Sequence, residues 1–212
     1  MEKIIVTIGR EFGSGGHEVG KKLAEKLGIA FYDAELIEKA AESTGLKKEY
    51  VLRNEEKGPS ISVSSIFSGI DAFQKSPYEE IEEAEFEIIR EITAKESCVI
   101  VGRAADCIIQ DEVHVSIFTF APIEDRIERV RAKRTTYSML EDEDFDESRI
   151  EKVIKNVDKQ RRKYYEFYTE KKWGSRDAYD LLINTSRTGI DGAVSIIETY
   201  IRESRGKNLL SD

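Results

Sequence analysis

The chain has few of the residues from which disulfide scaffolds, zinc centres and membrane segments are built. Its 212 residues include only two cysteines, two histidines and three prolines. Cys98 and Cys107 cannot form a disulfide framework, and His17 and His114 cannot assemble a zinc-type ligand cluster at known spacings. The apolar run from Ile4 to Ile8 is too short for a signal peptide core or a membrane span. We therefore expect a reduced, cytoplasmic protein with no membrane attachment.

The chain also lacks the surplus of basic residues that nonspecific nucleic-acid binding requires. It has 33 Lys and Arg against 42 Asp and Glu, a net charge of −9. Because such a protein neutralises phosphates with cations, this balance argues against a nucleic-acid partner. With 40% hydrophobic and 35% charged residues, the composition is that of a soluble, helix-rich globular protein. The length predicts one domain over residues 1–212, as a monomer or homodimer.

Short apolar segments alternate with amphipathic ones along most of the chain. Periodicity predicts strands at Lys3–Ile8, Ile29–Tyr32, Cys98–Val101, Val113–Phe120 and Tyr179–Asn184. It predicts helices at His17–Leu27, Glu35–Ser43, Lys47–Arg53, Pro77–Lys95, Glu124–Lys133, Glu147–Lys172 and Gly189–Arg205. The serine- and glycine-rich segment Gly58–Ser68 is predicted to be flexible. The alternation predicts a three-layer α/β/α fold around a mainly parallel, five-stranded sheet.

A glycine-rich loop, residues 9–17, joins the first predicted strand to the first helix. Its closely spaced glycines permit backbone N–H groups to point inward, and the helix N-terminus adds a partial positive charge. The loop is therefore a predicted anion site. The residues expected to bind the nucleotide phosphates are Gly13, Ser14, Gly15, Gly16, His17 and Glu18.

Two nucleotide-binding templates compete for this loop. The dinucleotide fingerprint G-x-G-x-x-G matches at Gly13 and Gly15 but meets Glu18 at its third glycine. Asp33 lies at the ribose-binding distance of about 20 residues.

The P-loop template G-x-x-x-x-G-K-[ST] fits no better. It matches at Gly15, but Arg10 stands at its first glycine, Gly16 at its lysine and His17 at its hydroxyl position. Spacing alone does not choose between the two templates.

Separate motifs in the same order resemble the cytidylate kinase-like family, from residue 4 to about residue 201. They lie at Ile8–Gly16, Leu27–Asp33, Val101–Asp106, Asp158–Tyr165, Tyr168–Gly174 and Tyr179–Ser186. The resemblance implies a P-loop NTPase fold with a helical acceptor-binding insertion at 34–97 and a helical lid at 124–176. It also implies transfer of the ATP γ-phosphoryl group to CMP or dCMP, with Mg²⁺.

The resemblance further implies roles in acceptor binding. Arg103 would hold the acceptor phosphate, and Asp106 would recognise cytosine or its ribose. Asp158 and Arg161 would contact the acceptor sugar and phosphate, respectively. Asp33 would also contact the acceptor. Two alanines separate Arg103 from Asp106, whereas the pair is adjacent in bacterial cytidylate kinases, so base specificity stays open.

The resemblance places a lid over the donor nucleotide. Five cations lie within the nine residues from Arg126 to Arg134. Arg126 and Arg129 are therefore candidates to approach the ATP phosphates and to exclude water.

The departure from the P-loop template concerns the phosphate-binding cation. Gly16 takes the place of the lysine, so Arg10 or Lys21 would have to substitute for it. Ser14 is the nearest hydroxyl that could serve Mg²⁺.

Three hypotheses follow from the sequence. The first is a nucleoside monophosphate kinase-like phosphotransferase that uses ATP and Mg²⁺ with a pyrimidine nucleotide as acceptor. The second is a regulatory protein whose degenerate loop binds a nucleotide without transferring phosphate. The third, motivated by Asp33, is a dinucleotide-binding oxidoreductase.

Overall fold

The computed structural model describes residues 3–33, 77–109, 113–133 and 147–208, without the side chains of 77–84, 147 and 205–208. The strands are β1 (Ile5–Arg10), β2 (Ala30–Tyr32), β3 (Cys98–Val101), β4 (Val115–Phe120) and β5 (Leu181–Asn184). The helices are α1 (Gly16–Leu27), α2 (Pro77–Lys95), α3 (Ala105–Ile108), α4 (Ile123–Ala132), α5 (Glu147–Tyr168) and α6 (Thr185–Asn208). The predicted helices at Glu35–Ser43 and Lys47–Arg53 and the segment Gly58–Ser68 lie outside the described residues.

The five described strands form one parallel sheet in the order β2-β3-β1-β4-β5. Ile8 of β1 lies opposite Val101 of β3 on one side and Ile117 of β4 on the other. Because all strands run in one direction, the ends of β1, β3 and β4 meet at one edge of the sheet. The residues that follow these strands are thereby brought together, where parallel α/β sheets bind their ligands.

Helices cover both faces of the sheet, which confirms the three-layer prediction. Val6 and Ile8 point to the face covered by α1 and α6, where they pack with Leu23 and Ile197. Ile5 points to the opposite face and packs in a second cluster, which includes residues of α2 and α3. This alternation is the period-two geometry of a strand buried on both faces. Within the described residues, no helix is long and apolar enough to span a membrane.

Several predicted boundaries were wrong by a few residues. The first strand begins at Ile5 and continues through Gly9 and Arg10, which pair with β4, so the glycine does not end it. The long helix ends at Tyr168 rather than Lys172. The last helix begins at Thr185, and Gly189 forms a kink inside it with φ 67°. The short helix α3 was not predicted.

Candidate functional site

An open cleft lies at the edge where β1 and β3 end. Gly9 and Arg10 line it at the start of the glycine loop, and Gly102 lines it after β3. Five of the predicted site residues line this cleft, namely Arg10, Asp33, Arg103, Asp106 and Arg161. The topology of the sheet and the two short connections after its strands thus bring together residues that are up to 151 positions apart in sequence.

The glycine loop requires its glycines for backbone geometry. Gly13 and Gly15 have φ values of 80° and 84°, in the left-handed region that side chains disfavour. A Cβ on Gly15 would lie only 2.6 Å from the Cδ1 atom of Ile190. Gly15 is the N-cap of α1, and no side chain caps that helix end. The first turn of α1 therefore offers backbone N–H groups to an anion.

The side chain of Arg10 fills the space in which a P-loop lysine would begin. A Cβ on Gly16 would lie 2.5 Å from Thr119 Oγ1 and 2.6 Å from Arg10 Cβ. A Cβ on Gly102 would lie 1.8 Å from Arg10 Nη1, so the guanidinium rests directly on this glycine. A side chain at position 16 or 102 therefore competes with Arg10 for the same space.

Arg10 and Lys21, the two candidates to replace the lysine, differ in position. Arg10 lines the cleft, with Nη2 3.8 Å from Asp33 Oδ1. Lys21 is exposed on α1 and does not line the cleft. The side chain of His17, which does not line the cleft, is 59% exposed, and its Nε2 lies 3.2 Å from Asp33 Oδ2. Only Arg10 of the two cations is inside the cleft.

The hydroxyl of Ser14 is directed at the sheet beneath the loop. Ser14 is fully buried, and its Oγ lies 3.0 Å from Thr119 Oγ1. Its carbonyl oxygen accepts a hydrogen bond from Thr185 Oγ1 at 2.6 Å. Among the described residues, no group of three or more His, Cys, Asp or Glu is arranged to hold a metal ion. Ser14 does not line the cleft, and its role as a magnesium ligand stays a prediction.

The backbone after β3 is strained at the point where it faces the cleft. Gly102, Arg103 and Ala104 have φ values of 91°, 59° and 51°. A left-handed conformation costs a residue other than glycine about 1–3 kcal/mol and persists only when the surrounding structure imposes it. This turn directs Arg103 against Glu85 of α2, with Nη2 2.9 Å from Oε1.

Glu85 is a site residue that the sequence analysis missed. It is 1% exposed, and its carboxylate neutralises the buried guanidinium of Arg103. Buried carboxylates are rare unless they are paired. The sequence contained a signal that Glu85 is buried, because Glu85 shares a helix face with Ile89 and Ile92, which are both buried.

Tyr165 orients the carboxylate of Asp106 in the cleft wall. Its hydroxyl donates to Asp106 Oδ2 at 2.7 Å, and the Cys107 thiol donates to the same oxygen at 3.3 Å. Burial, followed by the nearby Asp106 charge, raises the pKa of Cys107 to about 11. The same two causes raise the pKa of Tyr165. Tyr165 and Cys107 therefore act here as neutral donors.

Aromatic side chains form one wall of the cleft. Tyr164, Tyr165, Trp173 and Tyr179 line it, and the Tyr165 and Tyr179 rings stack with centroids 5.8 Å apart. Tyr164 and Tyr165 of α5 also pack with Tyr179 in a buried cluster. Such a wall suits a flat, aromatic part of a ligand.

Arg126 and Asp158, both predicted to contact nucleotide, lie outside the cleft lining and bind each other. Arg126 Nη1 donates to Asp158 Oδ2 at 2.5 Å, and both residues are buried. Phe12 N donates to Asp158 Oδ1 at 2.7 Å. Arg126 and Asp158 therefore contact the glycine loop at Phe12, which does not line the cleft.

Of the other predicted residues of this region, Arg129 contacts the glycine loop and Arg161 lines the cleft. Arg129 Nη1 donates to the carbonyl of Gly13 at 2.6 Å, and Glu18 pairs with Lys133 of the 113–133 segment. The hydrogen bond from Lys133 lowers the pKa of Glu18. Arg161 reaches the cleft, and its guanidinium lies 5.5 Å from the centre of the Phe12 ring.

Comparison with known proteins gives a consistent set of relatives. The model of the cytidylate kinase-like family matches residues 5–187. A cytidylate kinase from Desulfurococcus amylolyticus is 27% identical over 190 residues, which cover 89% of this chain and 88% of that protein. The crystal structure of an uncharacterized protein from Eubacterium ventriosum has a TM-score of 0.68 and 31% identity, and the match covers 94% of this chain and 99% of that one.

The fold is shared more widely than the sequence. The shikimate kinase from Bacteroides thetaiotaomicron has a TM-score of 0.58 at only 15% identity. That match covers 94% of this chain and 98% of the other. It supports the P-loop kinase fold and carries no information about substrate.

Proposed function

Because this chain belongs to the cytidylate kinase-like family, we propose that it transfers the γ-phosphoryl group of ATP to a pyrimidine nucleoside monophosphate such as CMP or dCMP. The observation that carries this proposal is the meeting of Arg10, Arg103 and Arg161 in one cleft beside the glycine loop. Phosphoryl transfer needs cations around clustered phosphates and an acceptor held in line, and it needs little covalent chemistry from the protein.

The glycine loop and Arg10 form the donor side in this proposal. Backbone N–H groups around Gly13, Gly15 and the first turn of α1 bind the ATP phosphates. Arg10 takes the role of the missing lysine, since its guanidinium lies in the cleft next to the loop. The charge of an arginine is permanent, so this cation is present at every physiological pH.

Arg103 and Arg161 hold the acceptor phosphate on the other side of the cleft. Guanidinium groups can bind phosphate through two parallel hydrogen bonds. Asp106, oriented by Tyr165, accepts a hydrogen bond from the base or the sugar of the acceptor. The aromatic wall stacks on the base, and Asp33 faces the same space from β2.

Kinases of this class use a metal with the nucleotide, and we expect Mg²⁺ here. Mg²⁺ is usually bound by substrate phosphates together with one or two carboxylates. Since the Ser14 hydroxyl is buried against Thr119, we expect the ion to enter with ATP rather than to bind the loop first.

A second candidate function is nucleotide binding without transfer. The observation in its favour is Gly16, which removes the lysine of the P-loop template. Membership of the cytidylate kinase-like family argues against the third hypothesis, a dinucleotide-dependent oxidoreductase.

Incubation of the purified protein with Mg-ATP and a panel of nucleoside and deoxynucleoside monophosphates tests the proposal. We expect ADP formation to be fastest with CMP or dCMP. Binding of ATP in calorimetry without turnover for any acceptor would favour the second candidate. Binding of NAD but not ATP would exclude both.

A matched pair of arginine variants locates the acceptor site. Arg103→Ala should weaken the use of CMP much more than the binding of ATP. Arg90→Ala on α2 is the control, because Arg90 is exposed and pairs only with Glu87 in the contacts described for it. Equal loss of donor and acceptor binding in Arg103→Ala would contradict the role assigned to Arg103.

A further inference from the structure

We infer that Asp158 is a positioning residue that holds the glycine loop in its phosphate-binding shape, and that it does so through Phe12 and Arg126. The family resemblance implied a different role, contact with the acceptor sugar. The inference rests on the proposed function only where nucleotide binding is measured. The shape of the loop can be measured without any nucleotide.

Asp158 and Arg126 together satisfy both backbone polar groups of Phe12. The Phe12 N–H donates to Asp158 Oδ1 at 2.7 Å, and Arg126 Nη1 lies 3.3 Å from the Phe12 carbonyl oxygen. The same Arg126 nitrogen donates to Asp158 Oδ2 at 2.5 Å. The three residues therefore form a closed ring of three hydrogen bonds, each of which has a charged donor or acceptor.

Asp158 is buried and already binds two groups of the protein. It is 8% exposed, and each of its two carboxylate oxygens already accepts a hydrogen bond. Moving it to a sugar hydroxyl would take away the carboxylate nearest to the buried Arg126 charge and leave only the more distant Glu11, at 3.6 Å from Nε, which is costly. Arg161, one helical turn further along α5, is the residue of this pair that reaches the cleft.

The side chain of Phe12 adds an apolar anchor to the same point. It is buried in a cluster with Val130 of α4 and Ile150, Ile154 and Val157 of α5. Phe12 thus belongs to the core of the α4 and α5 pair, although it lies in the middle of the glycine loop. Side chain and backbone of this one residue are both fixed by the two helices.

Gly13, which follows Phe12, shows why the fixed position of Phe12 matters for phosphate binding. Gly13 has a φ of 80°, and a Cβ there would lie 3.0 Å from the carbonyl oxygen of Arg126. Arg129 donates to the Gly13 carbonyl. The left-handed turn that directs loop N–H groups is therefore pressed against α4, and Asp158 fixes the residue immediately before it.

Two substitutions at Asp158 separate its two hydrogen bonds. Asp158→Asn keeps an oxygen for the Phe12 N–H but removes the charge that faces Arg126. Asp158→Ala removes the hydrogen bonds to both residues. Lys159→Ala is the control, since Lys159 is the exposed neighbour on the same helix. Hydrogen exchange of the peptide covering residues 9–16 reports the loop, and exchange of β3 reports the core.

We expect the loop peptide to exchange about tenfold faster in Asp158→Ala, with a smaller effect in Asp158→Asn and unchanged exchange in β3. We expect the Kd for Mg-ATP to rise about tenfold, which corresponds to about 1.4 kcal/mol, and the Kd for CMP to change less than about twofold. Weaker ATP binding with intact CMP binding is a result that a direct acceptor contact cannot produce.

Unchanged loop exchange in the two variants would overturn the inference, whatever happens to binding. Loss of CMP binding with intact ATP binding would also overturn it and would return Asp158 to the acceptor site. If the unaltered protein binds neither nucleotide, the proposed function fails, and the exchange measurement still decides the role of Asp158. Where circular dichroism shows that Asp158→Ala does not fold, Asp158→Asn alone decides it.

Discussion

Two groups of arginines surround the glycine loop, and they differ in what they contact. Arg10, Arg103 and Arg161 line the cleft, and we call them the cleft arginines. Arg126 and Arg129 do not line the cleft but bind the loop itself, through Asp158 and backbone carbonyls, and we call them the loop arginines. The arginines of a basic cluster in a kinase-like chain can therefore bind the protein's own backbone as well as a phosphate. Their partners, rather than their charge or burial, distinguish the two groups.

The largest expected effect concerns a loop arginine and the stability of the protein. Arg126→Ala leaves the buried carboxylate of Asp158 without its cation, so the free energy of unfolding should fall by about 3–5 kcal/mol. Urea unfolding measures this change. Arg131→Ala, at an exposed position of the same helix, should change stability by less than about 0.5 kcal/mol. Unchanged stability together with lost ATP binding would instead place Arg126 at the donor phosphates.

The next effect concerns a cleft arginine and the rate. Arg10→Ala should slow ADP formation about 100- to 1000-fold, because it removes a preorganised cation from the transferred phosphate. Its melting temperature should stay near that of the unaltered protein. Lys21→Ala is the matched control and should change the rate less than about twofold. The reverse result, with Lys21 essential and Arg10 dispensable, would invalidate the assignment.

A smaller effect is expected when the missing lysine is put back. Gly16→Lys introduces a side chain that starts 2.5 Å from Thr119 Oγ1 and 2.6 Å from Arg10 Cβ. Such overpacking typically costs about 1–3 kcal/mol of stability. We expect a lower melting temperature and no gain in the rate of phosphoryl transfer. A faster enzyme would show that the loop adapts and that Arg10 is not the cation in use.

The smallest effect is on thiol chemistry in the cleft wall. Burial raises the pKa of Cys107 to about 11 and that of Cys98 to about 12. A raised thiol pKa means that the neutral form persists, so only about a thousandth of Cys107 is thiolate at pH 8. We expect slow labelling by a thiol reagent at pH 8, faster labelling as the pH rises towards 10, and rapid labelling in urea. Fast labelling of the folded protein at pH 8 would contradict this.

Local patterns predicted most of the fold. The bounds of α2 and β3 were predicted to the residue, because α2 has one apolar face and β3 is a short, wholly buried run. The end of β1 was missed because Gly9 and Arg10 resemble the start of a loop, and only their pairing with β4 extends the strand. The periodicity of apolar residues indicates which face of a helix or strand is buried. It says much less about the residue at which the pairing of two strands ends.

The candidate site was predictable only in part. Arg103 and Asp106 could be placed because they directly follow a strand, and the ends of parallel strands meet. The partner of Asp158 could not be found in this way, since Phe12 is 146 positions away in sequence. The resemblance implied that Asp158 contacts the acceptor sugar, and the fold pairs it with Arg126. Contacts between distant segments depend on packing that no local pattern records.

The close packing of Arg10 on Gly16 and Gly102 also has a consequence for how such a loop can evolve. A lysine at position 16 would start against Arg10 and Thr119 and cost stability, and losing the arginine first removes the proposed phosphate-binding cation. Either order of single changes passes through an impaired protein. The three positions should therefore change together or not at all, and this arrangement of the loop would be retained in descendants of the chain even where the acceptor changes.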